Sequence, residues 1–262
     1  MRPSFGPNLP QIVTHIWQKA FFKHALEETD TGQAAGCGRP SGVGRVFEER
    51  KPDKRTAMSG RERKMDRELL KKNFEGHGFK TSFFNTKEAA AEYLASGIEG
   101  KRVAMGGSMT LKEMGLYELL EKKNEVIWHW VTPGEAAVRK AREAQIYLTS
   151  ANAVSETGEL VNIDGTGNRV SQTVFGPEKT YFIVGRNKIC TGFGTALWRA
   201  KNVAAPKNAA RLQAATPCVA ANGDKCYDCS SPERICRSTV IIERPSKGME
   251  VEVVFVDQEL GY

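Results

Sequence analysis

Between residues 102 and 149, short apolar runs alternate with segments that carry helix-start signals. The apolar runs are RVAM at 102–105, VIWHW at 126–130 and QIYLT at 145–149. Thr110 followed by Glu113 matches a capping box, and the next helix is predicted to begin after Thr132. Strands that alternate with helices in this way are typical of an α/β domain with a largely parallel sheet flanked by helices.

The rest of the chain from residue 65 extends this pattern into one domain at 65–262. Helices are predicted at 66–75, 87–96 and 193–203, and another after Pro206. Residues 150–190 contain short strands and turns, among them a strand at 180–184, and two closing strands are predicted at 239–242 and 251–256.

The net charge of +7 is concentrated before this domain. Residues 1–64 hold 12 Lys and Arg against 7 Asp and Glu, whereas residues 65–262 hold 26 against 24. Much of the first segment has too little apolar content to offset the entropy of ordering, which predicts a largely disordered extension or a non-native start. A nucleic-acid-binding domain carries its basic surface on the folded part, so we predict no nucleic-acid partner.

The location of the protein is predicted from its apolar segments and its cysteines. No run of about 18 apolar residues is present, which predicts no membrane span. The first residues do not match a secretory signal peptide. We therefore predict a cytoplasmic protein, in which the six cysteines are reduced and clustered thiols favour a metal over disulfides.

Four of the cysteines form a C-x7-C-x2-C-x6-C pattern. They are Cys218, Cys226, Cys229 and Cys236. The central C-x2-C pair lets two thiolates reach one metal across a turn, and the outer cysteines complete a tetrahedral sulfur set. All-sulfur ligation suits zinc and iron equally, and four reduced thiols in a surface loop are the alternative without a metal.

A glycine turn lies where the predicted strand at 102–105 meets the following helix. Gly106 and Gly107 allow close approach to the backbone, and Ser108 and Thr110 offer hydroxyl groups. Free N–H groups at such a turn favour an anion, so these four residues are candidate ligand-binding residues. A glycine turn with an N-cap residue is also what most strand–helix connections require.

Three stretches carry a resemblance to a known family. They are SANAVSETGELVNIDGTGNRV at 150–170, FGP at 175–177 and VGRNK at 184–188. Together with the glycine turn and the cysteine-bearing tail, they resemble the LUD domain of lactate-utilisation proteins over about residues 66–256. The resemblance implies a fold of the ribose-phosphate isomerase and CoA-transferase type. It also implies an association with lactate oxidation beside redox partner subunits, and it favours a [4Fe–4S] cluster over zinc.

The same stretch contains a second group of candidate site residues. The turn at Glu156 resembles the glutamate-bearing turn of CoA-transferases, which makes Glu156 a candidate catalytic nucleophile. Asp164, Asn168 and Arg169 are candidate ligand-binding residues, because Arg169 could hold a carboxylate through two hydrogen bonds. The alternative is a plain hairpin in which Glu156 lies at the turn and Arg169 pairs with a nearby acid.

Three functions remain open. The first is a lactate-utilisation-type protein that binds a small anionic metabolite and carries an iron–sulfur or zinc site. The second is a CoA-transferase- or isomerase-like enzyme that uses Glu156 and has a structural zinc. The third is a non-catalytic assembly subunit of an oxidoreductase complex. We expect the glycine turn and the 156–169 loop to face one pocket at the carboxyl edge of the sheet.

Overall fold

A computed structural model describes residues 65–262, and the predicted extension at 1–64 lies outside these residues. In chain order the strands of the described part are β1 Lys80–Phe84, β2 Arg102–Met105, β3 Glu125–Trp128, β4 Ile146–Thr149, β5 Ala153–Ser155, β6 Leu160–Asp164, β7 Lys179–Gly185, β8 Ile189–Cys190, β9 Ser238–Ile242 and β10 Glu250–Val256.

The α-helices of the same residues are α1 Arg67–Gly76, α2 Lys87–Gly97, α3 Met109–Glu113, α4 Leu116–Leu120, α5 Glu135–Ala141, α6 Asn168–Val174, α7 Phe193–Arg199, α8 Ala205–Arg211 and α9 Pro217–Ala220. A 3-10 turn covers Arg186–Lys188, and a π-helical turn covers Ala200–Ala204.

The strands form two sheets. Six of them make a fully parallel sheet in the order β1-β10-β7-β4-β2-β3, which confirms the predicted α/β class. The other four make a smaller mixed sheet in the order β8-β5-β6-β9. Strand β2 has β3 on one side and β4 on the other, so the strand order reverses at this point. Ligands of open α/β sheets bind in the crevice beside such a reversal.

The core lies on both faces of the parallel sheet because successive side chains of a strand point to opposite faces. Along β7, Tyr181 and Ile183 pack with Leu94 of α2 and its neighbours. Phe182 and Val184 pack on the other face, in the cluster that contains Phe74 of α1. This alternation holds β7 at the centre of the domain, and its carboxyl end is thereby fixed beside the candidate site.

Three predicted helix boundaries differ from the observed ones. Helix α3 is capped by Ser108, whose Oγ accepts a hydrogen bond from the N–H of Leu111, and not by Thr110. Helix α5 begins at Glu135 after Gly134, beyond the predicted start. The two helices expected on either side of Pro206 form one helical run through the π turn. The wider turn precedes the proline, whose ring does not fit regular α-helical bonding.

Candidate functional site

A cavity of about 360 Å³ lies at the carboxyl ends of β2, β4 and β7, beside the reversal of strand order. Its wall includes the turn after β2, the residues that follow β4, the end of β6 and the side of α8 that faces the sheet. Lys188 comes from the 3-10 turn after β7. The volume is in the range of pockets that hold small molecules.

Six of the predicted ligand-binding residues line this cavity: Gly107, Ser108, Thr110, Asp164, Asn168 and Arg169. Two segments that are about 50 residues apart in the sequence therefore meet, as expected for the carboxyl edge of a parallel sheet. Gly106 lines a smaller neighbouring space with Tyr147 and Asn168.

Lys188 lies in the wall of the cavity and was not among the residues predicted from sequence. It is 4% exposed, and its Nζ donates hydrogen bonds of 2.8 Å to Thr110 Oγ1 and to Ser150 Oγ. A lysine amine has three hydrogens when charged, so one N–H remains for another partner. None of the ion pairs within residues 65–262 includes Lys188.

The environment of Lys188 destabilises the charged form of its amine. Burial, together with the smaller effect of the positive charges of Arg199 and Arg169, lowers the pKa of the amine to about 7, whereas Glu113 acts in the opposite direction. Burial without a paired carboxylate is the usual cause of such a shift in a lysine. A substantial fraction of Lys188 is therefore neutral near pH 7.

Arg169 is held by protein acceptors. Its Nε bonds to Asp164 Oδ2 at 3.2 Å, and its terminal nitrogens donate to Asn162, Asn152 and the carbonyls of Ser150 and Ile163. Because these contacts use all five N–H groups, the guanidinium joins the turn after β4 to the end of β6. It shapes the cavity and contributes positive charge. No N–H group remains for the predicted pair of hydrogen bonds to a ligand carboxylate.

The two glycines of the turn after β2 are required by close packing. A Cβ on Gly106 would lie 2.4 Å from Tyr147 Oη and 3.0 Å from Arg169 Cγ. A Cβ on Gly107 would lie 3.1 Å from Trp130 Nε1 and 3.3 Å from the His129 ring. The glycines thus let aromatic side chains approach the backbone, a reason distinct from ligand approach.

The open end of the cavity carries a second cation. Arg211 is exposed, and its guanidinium carbon lies 4.9 Å from the centre of the Trp130 ring, a cation–π contact. Its Nε and one terminal nitrogen also bond to Asn208 Oδ1. Burial lowers the pKa of the neighbouring His129, and Asp164 raises it by less, so this imidazole adds no charge near pH 7. Lys188 and Arg211 therefore make the cavity favourable for an anion.

The segment Leu260–Tyr262 covers the inner end of the cavity. Thr110 Oγ1 donates to the carbonyl of Leu260, and the N–H of Gly261 donates to Glu113 Oε2 at 2.8 Å. A Cβ on Gly261, whose φ is 60°, would lie 2.7 Å from Thr110 Oγ1 and 3.3 Å from Lys188 Nζ. This segment excludes solvent from the amine and contributes to its burial.

Comparisons with known proteins identify the family. The family model of the LUD domain matches residues 67–256. The chain belongs to the LUD domain family. The predicted resemblance is thereby confirmed, and the LUD domain makes this a lactate-utilisation-type protein.

Further comparisons describe what else the LUD domain protein is similar to. One similar solved structure is that of a DUF162 family protein from Deinococcus radiodurans. It is 12% identical, with a TM-score of 0.42, and the match covers 72% of this chain and 94% of the other. No curated protein sequence matches the chain. Within residues 65–262, no helix is long and apolar enough to cross a bilayer.

Glu156 lies outside the cavity of this LUD domain. It follows β5 and is 7% exposed, its N–H donates to the carbonyl of Cys190, and its carbonyl accepts from Asn73 of α1. The hairpin turn continues to Gly158, which packs against His77. The expectation of one shared pocket therefore fails for Glu156, because the hairpin that carries it packs against α1 through its backbone and is not part of the cavity wall. Its role as a nucleophile stays a prediction.

The four predicted metal ligands lie in one loop of the LUD domain. Cys218 is in α9, and Cys226, Cys229 and Cys236 follow in irregular backbone, each thiol reduced and half-buried. Arg234 spans the loop by donating to the carbonyls of Cys229 and Cys236. Within residues 65–262, no group of three or more His, Cys, Asp or Glu side chains is arranged to hold a metal ion. The observed loop conformation does not itself fit a four-sulfur centre.

The cysteine loop borders the cavity. Ile235 is part of the cavity wall, and its carbonyl would lie 2.8 Å from a Cβ on Gly165. The N–H of Arg237 donates to the carbonyl of Asp164 at 3.0 Å. A change in the backbone at 235–237 would therefore be transmitted directly to the end of β6, where Asp164 and Arg169 lie.

Proposed function

We propose that this LUD domain protein binds a small anionic metabolite in the cavity at the carboxyl edge of its sheet. The observation that carries the proposal is Lys188, a buried amine whose charged form has one N–H unused and which is paired with no carboxylate of residues 65–262. Buried charges are normally paired, so an anion supplied by a ligand would complete this environment. Arg211 at the open end supports the same sign of ligand charge.

Anion binding is tested with lactate, inorganic phosphate and the uncharged analogue lactamide. Lactate or phosphate should bind and lactamide should not, as measured by isothermal titration calorimetry. Lys188→Met should weaken binding about tenfold or more, because a hydrogen bond to a charged group contributes roughly 1.5–3 kcal/mol. Lys122→Met removes an exposed lysine and serves as the matched control, with binding unchanged.

The pH dependence of this binding has a defined sign. The charged amine is the form that attracts an anion, and the pKa of Lys188 is about 7, so affinity should decrease as the pH is raised above 7. Equal binding of lactate and lactamide, or full affinity in Lys188→Met, would contradict the proposal.

We also propose that the cysteine loop binds a metal after it rearranges. Four reduced, half-buried thiols within one loop support this. Thiolates at Cys226 and Cys236 would repel each other, and a bound cation would relieve that repulsion. No step of anion binding depends on this metal. An iron–sulfur cluster would favour redox partner subunits, whereas zinc would favour a structural role or an assembly subunit.

The metal is tested by anaerobic reconstitution with iron and sulfide or with zinc, followed by metal analysis and visible absorption. The double variant Cys226→Ser, Cys229→Ser should lose nearly all metal, because thiolates are the ligands and loop order depends on them. Cys190→Ser is the control, since Cys190 ends β8 outside the loop, and should keep its metal content. Full metal content in the double variant would contradict the proposal that this loop binds the metal.

A further inference from the structure

The position of the Lys188 side chain suits it to act as a nucleophile as well as a cation. Its amine is buried in the cavity wall and touches two hydroxyl groups, those of Thr110 and Ser150. A lysine that served only as a structural cation would be expected to pair with a carboxylate. Here the flanking charges are the guanidinium groups of Arg169 and Arg199, with Glu113 as the opposing carboxylate.

These surroundings favour an uncharged amine with a lone pair. A pKa of about 7 gives Lys188 about a thousandfold larger neutral fraction at pH 7 than an ordinary exposed lysine has. Desolvated lysines beside other cations are activated in this way for attack on carbonyl carbons. The pKa agrees with the geometry: Lys188 lies in the cavity wall, contacts two hydroxyl groups and forms no ion pair with the part of the chain that the structure describes.

We infer that Lys188 condenses reversibly with the carbonyl carbon of a small aldehyde or ketone that also carries a carboxylate or phosphate. This inference rests on the proposed function and specifies the substrate class of the same cavity. Arg211, at the open end, is the cation that remains for the anionic group once the amine has reacted.

The condensation balances without an oxidant or a reductant. The lone pair of Nζ forms a C–N bond to the carbonyl carbon as the π bond of the carbonyl breaks, and one proton passes from the nitrogen to the oxygen to give a carbinolamine. Loss of a proton from nitrogen and of the oxygen as water then gives the imine. The hydroxyls of Thr110 and Ser150 lie at hydrogen-bond distance from Nζ and are placed to exchange these protons. Addition of water reverses the reaction.

The test is reductive trapping of the full chain with glyoxylate or pyruvate and sodium cyanoborohydride, followed by intact mass measurement and peptide mapping. One reduced adduct should form on Lys188, and its rate should rise as the pH is raised through about 7. Acetate, which has the charge and no ketone or aldehyde carbonyl, should give no adduct. Lys188→Arg keeps a cation and should lose the adduct, whereas Lys122→Arg should keep it.

The outcomes separate this inference from the proposed function. Binding of pyruvate by calorimetry without an adduct on Lys188 would overturn the inference and leave anion binding intact. Adducts spread over exposed lysines to the same extent in Lys188→Arg would also overturn it. Failure of all the small anions to bind would remove the proposed function and the inference together. A thermal melt of each variant shows that the loss of adduct is not due to unfolding.

Discussion

Lys188→Met should stabilise the protein by about 2 kcal/mol at pH 7, although it removes the residue proposed to bind the ligand. In the folded protein the pKa of this amine is about 7, well below the ordinary value for lysine. Since each pKa unit corresponds to about 1.4 kcal/mol, this shift lowers the free energy of unfolding by roughly 4 kcal/mol at neutral pH. Two hydrogen bonds of about 1 kcal/mol each are lost in return.

The lost hydrogen bonds leave no unsatisfied donor. Thr110 Oγ1 still donates to the carbonyl of Leu260, and Ser150 Oγ still donates to the carbonyl of Ile183 at 2.6 Å. Both hydroxyl oxygens accept a hydrogen bond from Lys188. Methionine removes these two bonds and leaves intact the bonds that the hydroxyls themselves donate. A gain in stability with a loss of binding is the usual relation at a functional site.

The stabilisation should depend on pH in one direction. The pKa of Lys188 is lowered by folding, so the unfolded chain binds more protons than the folded one between about pH 7 and the ordinary lysine pKa. The stability contributed by this group therefore rises with pH across that window. The difference between wild type and Lys188→Met should close at about pH 9, and above that pH the variant should be the less stable protein, because only the loss of its two hydrogen bonds remains. The charged groups that face the amine are Arg169, Arg199 and Glu113.

Urea unfolding of wild type, Lys188→Met and the exposed control Lys122→Met at several pH values measures this difference. Lys122→Met should follow the wild type at every pH. A Lys188→Met protein that is less stable than wild type at pH 7, or a difference that does not change with pH, would contradict the assignment of Lys188 as a buried, partly neutral amine.

Gly106→Ala should destabilise the protein by about 3 kcal/mol. The new Cβ would lie 2.4 Å from Tyr147 Oη, and Tyr147 is 1% exposed, so the clash can be relieved only by moving a ring that is packed in the interior. Overpacking a core costs about 1–3 kcal/mol, and displacement of the ring also weakens the bond from its hydroxyl to the carbonyl of Arg169. Chemical denaturation measures the loss.

A double-mutant cycle identifies the cause. In Gly106→Ala combined with Tyr147→Phe the clashing oxygen is absent, so the pair should be more stable than the sum of the two single changes. Gly97→Ala is the control, because a Cβ there meets nothing within 4 Å at the end of α2, and it should be neutral or slightly stabilising. Additive effects in the cycle would show that Tyr147 is not the obstacle.

Local signals were sufficient for the parallel sheet and for several site residues. The alternation at 102–149 identifies β2, β3 and β4, and residues that follow strands of a parallel sheet meet at its carboxyl edge. Ser108, Thr110 and Arg169 were thus assigned to a ligand site, and the structure brings them to one cavity. Lys188, which follows the buried strand β7 in the same way, carried the same signal and was missed.

Local signals failed where two residues of similar chemistry compete. Ser108 and Thr110 are both good N-cap residues, and the sequence favoured Thr110 because Glu113 follows at capping-box spacing. In the structure, Glu113 Oε2 accepts instead from Gly261, and Thr110 contacts Lys188. Both contacts come from residues more than 70 positions away, so no local pattern could have revealed them.

The sequence by itself determined the α/β class, the family and the set of residues near the carboxyl edge of the sheet, because strand–helix alternation and motif spacing are local properties. The tertiary structure decided which of those residues are available to a ligand. Arg169 uses its donors on the protein, Glu156 is not part of the cavity wall, and the buried amine of Lys188 is. The state of that amine depends on burial and on the charges around it, and both arise only when distant segments pack together.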